Sequence, residues 1–289
     1  MAFIQPMLAE KMEDTMKIEP GIWAADEKLD GHRLVVEVTG KPMDLFSPRT
    51  VQGWSRDGLI RVLPSQIVEA MVKFPVGIYD GELLVPGKRS YGVTDLRFTK
   101  SLIYAIFDIL QLMDQDTMDL SYDDRRSLLE EMFARKELRH PAAVLVPSCH
   151  INSRADLDKV LKEIWARDGE GVILKRRSAI YRPNKRSKDF LKIKQLNHGV
   201  ATVIGFIQST GKIQDRGPYG IVLLEDDKGI KLRVKTKNDA QCRTFEADAT
   251  RVGILNRHPA IGRRLCFDYH ERTPRGEYRE PRWDRWEDE

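Results

Sequence analysis

Several short stretches of this chain put charged or aromatic side chains where phosphate chemistry could use them. Asp26-Glu27-Lys28-Leu29-Asp30-Gly31-His32-Arg33 sets a lysine and an arginine at a glycine-containing turn. Such a corner can present both cations to one phosphate. Gly81-Glu82 and Gly169-Glu170-Gly171 each place a carboxylate beside glycine at an apolar run. Burying a charge there costs free energy unless it is used. Lys192-Ile193-Lys194 sends two ammonium groups to one face of a strand. Each stretch alone has a plain structural explanation, as a solvated hairpin, a strand-edge turn or a wet strand face. Their occurrence together in one chain argues for a site.

The elements that must position them are legible from periodicity. Apolar Ile22-Trp23-Ala24-Ala25 and Leu34-Val35-Val36 flank the lysine turn as two strands, the second alternating through Val38. A Gly40-Lys41-Pro42 turn and Leu45-Phe46-Ser47-Pro48-Arg49 continue the pairing and end in a basic loop. Ile67, Val68, Met71 and Val72 recur at helical spacing over residues 64–74. Residues 101–110 form a near-continuous apolar run, the pattern of a strand buried on both faces, and close on Phe107-Asp108. A helix is expected over 121–136, with Ser121 as cap, acids in its first turn and a solvated acidic face. A second is expected over 153–167, capped by Ser153 with Leu157, Val160, Leu161, Ile164 and Trp165 on its apolar stripe. At Gln195 the character changes to short β-like runs at 198–207, 220–224, 230–234 and 264–269, with one helical insert at 238–249. Short strands with one helix suit an OB-fold barrel, or a small barrel that only supports the first domain.

Taken in order, these stretches resemble the motifs of ATP-dependent DNA ligases, members of the covalent nucleotidyltransferase superfamily. The resemblance runs over nearly the whole chain. It implies that Lys28 is the nucleophile that attacks the α-phosphate of ATP, as an amine does only when unprotonated. Glu27, Asp30, Gly31 and Arg33 would then surround the nucleotide. The family's Ser-Arg pair is interrupted by Pro48 before Arg49 but intact at Ser55-Arg56, so the nucleotide-contacting arginine is Arg49 or Arg56. Glu82 would contact metal or ribose, and Glu170 would share the divalent ion, Mg²⁺ or Mn²⁺. Phe107 would stack on adenine, and Lys192 and Lys194 would neutralise the α-phosphate. In Pro281-Arg282-Trp283-Asp284-Arg285, Arg282 and Arg285 resemble the last ligase motif, although the family's final lysine is missing. The implied fold class is α+β: a nucleotidyltransferase (adenylation) domain of antiparallel sheets with flanking helices over residues 1–195, then a small OB-fold β-barrel over 196–289. Gln5-Pro6-Met7-Leu8-Ala9 is similar to the lead-in of many such ligases. The short stretch before the lysine implies a minimal enzyme that uses ATP. The implied partner is nicked duplex DNA, bound by a monomer. An RNA ligase or an mRNA-capping guanylyltransferase would use the same lysine, and a non-catalytic nucleic-acid binding relative is the reading from another class.

Composition sets outer bounds. At 289 residues the chain is long enough for two cores. A net charge of +4 permits a nucleic-acid partner without demanding one. Basic residues gather at Lys175-Arg176-Arg177, over 182–194, at Arg263-Arg264 and over 272–285, which makes the C-terminal half the expected phosphate-facing side. Cys149, Cys242 and Cys266 are widely spaced and fit neither a disulfide framework nor a zinc pattern, so a cytoplasmic protein is expected. The longest apolar run stops at Asp108, far short of the ~20 residues of a membrane helix, and the N-terminus lacks a basic-then-apolar signal.

Overall fold

The computed structural model describes residues 3–13, 15–40, 48–207, 221–235, 259–273 and 276–288. Two compact units divide the chain, Met1–Lys194 and Gln195–Glu289. In chain order the first builds β1 (Leu8–Lys11), β2 (Trp23–Lys28), β3 (His32–Thr39), β4 (Thr50–Ser55), β5 (Ile60–Arg61), α1 (Ser65–Met71), β6 (Gly77–Leu84), α2 (Tyr91–Thr94), β7 (Ile103–Leu112), β8 (Gln115–Asp116), α3 (Tyr122–Ala134), β9 (Ala143–Leu145), β10 (Ser148–Ile151), α4 (Arg154–Ala166), β11 (Gly171–Arg176) and β12 (Arg186–Lys194). The second builds β13 (Asn197–Ile207), β14 (Ile221–Glu225), β15 (Lys231–Lys235), β16 (Arg264–Tyr269), β17 (Glu271–Arg272), β18 (Tyr278–Arg279) and β19 (Arg282–Trp286).

Unit one is two largely antiparallel sheets. One runs β5-β4-β3-β6-β7-β8 with β9 added beside β7, and the other runs β1-β12-β11-β2-β10. The unbroken apolar runs arise because strands of the first sheet are covered on both faces. In β3, Leu34, Val36 and Val38 join a core with Ile67, Met71 and Phe74 of the α1 region and Leu129 and Met132 of α3. Val35, on the other face, packs with Ile78, Leu110, Tyr181 and Phe190. A third core lies under α4, where Leu157, Leu161 and Ile164 meet Trp23, Val172 and Leu174. Both serine caps form: Asp124 N donates to Ser121 Oγ at 3.2 Å and Asp156 N to Ser153 Oγ at 3.1 Å.

Helix α3 does more than carry a solvated acidic face. Its Arg125 is buried and donates from Nε to Asp108 of β7 at 2.6 Å, with further bonds to the Leu120 and Ala179 carbonyls. Burial alone would raise the Asp108 carboxyl, but the cations of Arg125 and Lys175 outweigh it and hold that pKa below its ordinary value.

In unit two, β13-β14-β15-β19-β16 close into a five-stranded barrel, the strand number of an OB-fold. Ala201, Val203, Val222, Leu224, Val234, Leu265, Phe267, Trp283 and Trp286 fill it. The helix expected at 238–249, the Gly40-Lys41-Pro42 turn beyond Gly40, the run Leu45-Phe46-Ser47 and Cys242 lie outside the described residues. Cys149 and Cys266 are free. Among the described residues no helix is long and apolar enough to cross a membrane.

Candidate active site

Strand register brings the charged stretches together. Lys28 on β2 stands opposite Gly171 on β11, and Gly171 stands opposite Lys194 on β12. Glu170, beside that glycine, therefore meets both lysines: Lys28 Nζ lies 2.6 Å from its Oε2 and Lys194 Nζ 2.7 Å from its Oε1. Burial would raise the Glu170 carboxyl, and the two ammonium groups reverse this and hold it below the ordinary carboxylate range. Gly171 has φ +151°, and a Cβ there would come 2.0 Å from the Ile193 carbonyl oxygen, so only glycine lets the three strands approach this closely.

The next row is Asp26, Ile173 and Lys192, and the one after it Ala24, Lys175 and Phe190. Asp26, Lys28, Ile173, Lys175, Phe190 and Lys192 line a cavity together with Met7, Leu8, Ala9, Glu27, Leu29, Arg33, Arg56, Glu82, Phe107 and Arg186.

On the facing sheet Arg33 of β3 pairs in register with Glu82 of β6. The Arg33 guanidinium grips Asp80 with two bonds of 2.6 and 2.5 Å. Burial works against its charge, but the Asp80 carboxylate outweighs it and raises the guanidinium's pKa. Glu82 has no such rescue. Burial pushes its carboxyl up to about 7, opposed by Arg33 and Lys28 and reinforced by repulsion from Glu170 and Asp80.

Phe107 reaches the cavity because of a bulge. The β6–β7 register jumps from Asp80–Asp108 to Gly81–Ile106, which leaves Phe107 as the extra residue. A bulge re-aims a side chain that alternation would send elsewhere. Its ring has the Arg33 guanidinium 4.5 Å and the Lys175 ammonium 4.9 Å from its centroid.

Other candidate residues lie at the margins of the cavity or away from it. Arg49 does not line the cavity; its Nη1 donates to the Phe74 carbonyl at 2.5 Å and to those of Val72 and Lys73, capping the end of α1, where unpaired carbonyls attract a cation. Of the two candidate arginines, Arg56 is the one at the cavity. Asp30 and Gly31 shape the turn from outside it: Asp30 lies 4.0 Å from Arg89, and a Cβ at Gly31 would meet the Leu83 carbonyl oxygen at 2.3 Å. Glu27 lines the cavity and accepts from Arg167 Nη2 at 2.6 Å. Glu170 and Lys194 stand behind Lys28 rather than on the wall. Lys175-Arg176-Arg177 is no free phosphate-facing cluster. Lys175 is buried against Asp26 at 2.7 Å, Arg176 pairs with Asp189, and Arg177 pairs with Asp123. Arg282 and Arg285 are exposed on β19, beside Glu280 and Asp284 respectively.

Sequence reasoning gave Asp26 no role of its own and counted Lys175 and Arg186 only among the basic stretches. Their signal was spacing: Asp26 and Lys28 share one face of β2, and Arg186 and Lys192 share one face of β12.

The sequence profile described as ATP dependent DNA ligase domain matches residues 6–194. The chain belongs to the ATP-dependent DNA ligase family. Curated relatives include DNA ligase 1 of Methanosarcina barkeri, 26% identical over 284 residues that cover 88% of this chain and 51% of the relative. A probable DNA ligase of Sorangium cellulosum is 26% identical and covers 94% of this chain and 54% of its own length. This ligase-family chain thus spans about half the length of curated relatives it matches. Among solved structures, one from work on Lig E DNA ligases and DNA binding with a minimal scaffold shares the fold with TM-score 0.72 at 20% identity, covering 98% of this chain and 100% of that one. A Chlorella virus DNA ligase-adenylate superposes with TM-score 0.51 at 19% identity, covering 99% and 100%.

Proposed function

We propose that the protein is an ATP-dependent DNA ligase that seals nicks in duplex DNA as a cytoplasmic monomer. The observation that carries this reading is Lys28, with its Nζ on Glu170 and its side chain on the wall of a cavity that also holds Arg56, Phe107 and Lys192. The Lys28 amine attacks the α-phosphate of ATP, a P–N bond forms, pyrophosphate leaves, and the amine's proton is lost; Glu170 is the nearest carboxylate to receive it. The 5′-phosphate of a nick then displaces the lysine from AMP, and the 3′-hydroxyl displaces AMP to close the phosphodiester. Lys192 and Arg56 offset charge on the nucleotide phosphates, Lys194 and Glu170 orient Lys28, and Phe107 carries the adenine. Glu27 and Arg33 border the nucleotide, and Arg282 and Arg285 act on the leaving pyrophosphate.

The carboxylates fit a divalent ion. Glu82 and Glu170 offer hard oxygen donors, and their mutual repulsion within a buried site is what a bound cation would relieve. They would hold Mg²⁺ or Mn²⁺, which when bound offsets phosphate charge. The names of the relatives, DNA ligases in each case cited, support DNA over RNA as the strand joined.

Incubation with α-labelled ATP and, separately, α-labelled GTP tests the chemistry and the base together. Label should enter the protein from ATP and not from GTP, and Lys28→Ala should take up none while keeping the parent's far-ultraviolet spectrum, because Lys194 still neutralises Glu170. That variant should still join a pre-adenylated nick. Covalent labelling of Lys28→Ala would end the proposal.

A further inference from the structure

The barrel carries a second group of potential ligands that the ligase reading does not use. His198 of β13 stands directly opposite Asp268 of β16 in the antiparallel register, and its Nδ1 lies 2.8 Å from Asp268 Oδ1. Strand β19 flanks β16 on its other side. There the register jumps from Cys266–Arg285 to Phe267–Trp283, which leaves Asp284 as the extra residue of a β-bulge. The bulge has a packing consequence. Trp283 and Trp286, three residues apart, both point into the barrel core, which strict alternation forbids. Asp284 is thereby turned outward beside Asp268 and His198, and one ligand atom from each of the three lies within 4.8 Å of the others.

We infer that His198, Asp268 and Asp284 form a divalent-metal site on the outer wall of the barrel, of a chemistry suited to Zn²⁺. One imidazole nitrogen with two carboxylates is a borderline donor set, which favours Zn²⁺ over Mg²⁺. Metal–ligand bonds of about 2.0–2.2 Å place neighbouring donors roughly 3–3.5 Å apart, so modest side-chain rotation closes the cluster. The rotation has room, because the His198 side chain is 74% exposed. The His198–Asp268 contact is replaced by two bonds to the ion, and Asp284 exchanges its 3.1 Å contact with Arg285 for a third. Solvent supplies the remaining position. Since β16 pairs with both β13 and β19, the ion ties three consecutive barrel strands at one point. The site stands whether or not the chain seals nicks.

Equilibrium dialysis of the full chain against Zn²⁺, with thermal unfolding on the same samples, tests it. The comparison set is His198→Ala, Asp284→Asn and Glu170→Gln, the last to account for metal at the nucleotide cavity. The parent should bind one Zn²⁺ more than His198→Ala or Asp284→Asn, and Glu170→Gln should keep the barrel ion. At an ion concentration ~100 times the dissociation constant, barrel melting should rise by roughly 10–20 °C in the parent and not in those two variants. Mg²⁺ at the same concentration should give no such shift. Equal Zn²⁺ uptake by the parent, His198→Ala and Asp284→Asn would overturn the site, as would saturation that disappears only in Glu170→Gln. Both test substitutions change exposed or half-exposed polar side chains, so loss of binding in each, with an unchanged far-ultraviolet spectrum, separates ligation from misfolding.

Discussion

Glu82 is a cavity carboxylate whose ionisation is set by its surroundings. Its folded pKa of about 7 lies above the ordinary 4.5, so the native state holds this proton more tightly than the unfolded chain. The stability that follows is fully present below the ordinary value and is lost as pH rises toward about 7. Glutamine keeps the shape without the charge. Glu82→Gln should therefore be more stable than the parent at pH 8, by ~3 kcal/mol, and the two should converge near pH 4; denaturant titration at both pH values checks this. Glu170 behaves in the opposite sense: its lowered pKa gives stability present above the ordinary value and lost as pH falls through the folded one. Phe107 allows a second test at this scale. If its ring carries adenine, Phe107→Leu, which keeps apolar bulk, should raise the KM for ATP roughly tenfold or more, given ~1–3 kcal/mol for base–aromatic stacking. An unchanged KM with a lowered melting temperature would assign the ring to packing.

Among the elements, α3 and β7 are joined by more than apolar contact. Arg125 and Asp108 are both essentially excluded from solvent, and Lys175 of β11 approaches the same carboxylate at 3.9 Å while bonding Asp26 at 2.7 Å. This chain of charge links α3, β7, β11 and β2, the last of which carries Lys28. Removing one member leaves a buried carboxylate undercompensated. Arg125→Ala should cost about 3–5 kcal/mol in chemical denaturation, more than the exposed pair Arg154–Asp158 would lose on the same treatment. If the loss is under ~1 kcal/mol, water reaches Asp108 and the network is not a dry one. The bulges at Phe107 and Asp284 act at this scale as well, since each adds a single residue that changes which face a side chain occupies.

At the scale of the molecule, the proposed function asks two units to hold a nick. Affinity for nicked duplex should fall steeply with salt, with a slope of log affinity against log salt of ~0.9 per phosphate neutralised. Removal of residues 195–289 should flatten that slope and abolish nick binding. Equal affinity and slope for the truncated and full chains would show that the barrel does not bind DNA.

The sequence by itself determined the family, the candidate nucleophile Lys28, the two glycine-flanked glutamates, the serine-capped helices and the change of character at Gln195. Each of these is written locally, in a spacing of two, in helical periodicity or in a glycine that tolerates close approach. Tertiary structure alone placed Arg56 on the cavity wall and Arg49 on the carbonyls that end α1, because those positions depend on which elements pack against each guanidinium. It likewise turned Lys175 from an apparent surface cation into a buried partner of Asp26, an outcome set by the neighbouring strands β2 and β12. The bulges at Phe107 and Asp284 were invisible to alternation for the same reason. A bulge is defined by the partner strand, and a chain read alone has no partner.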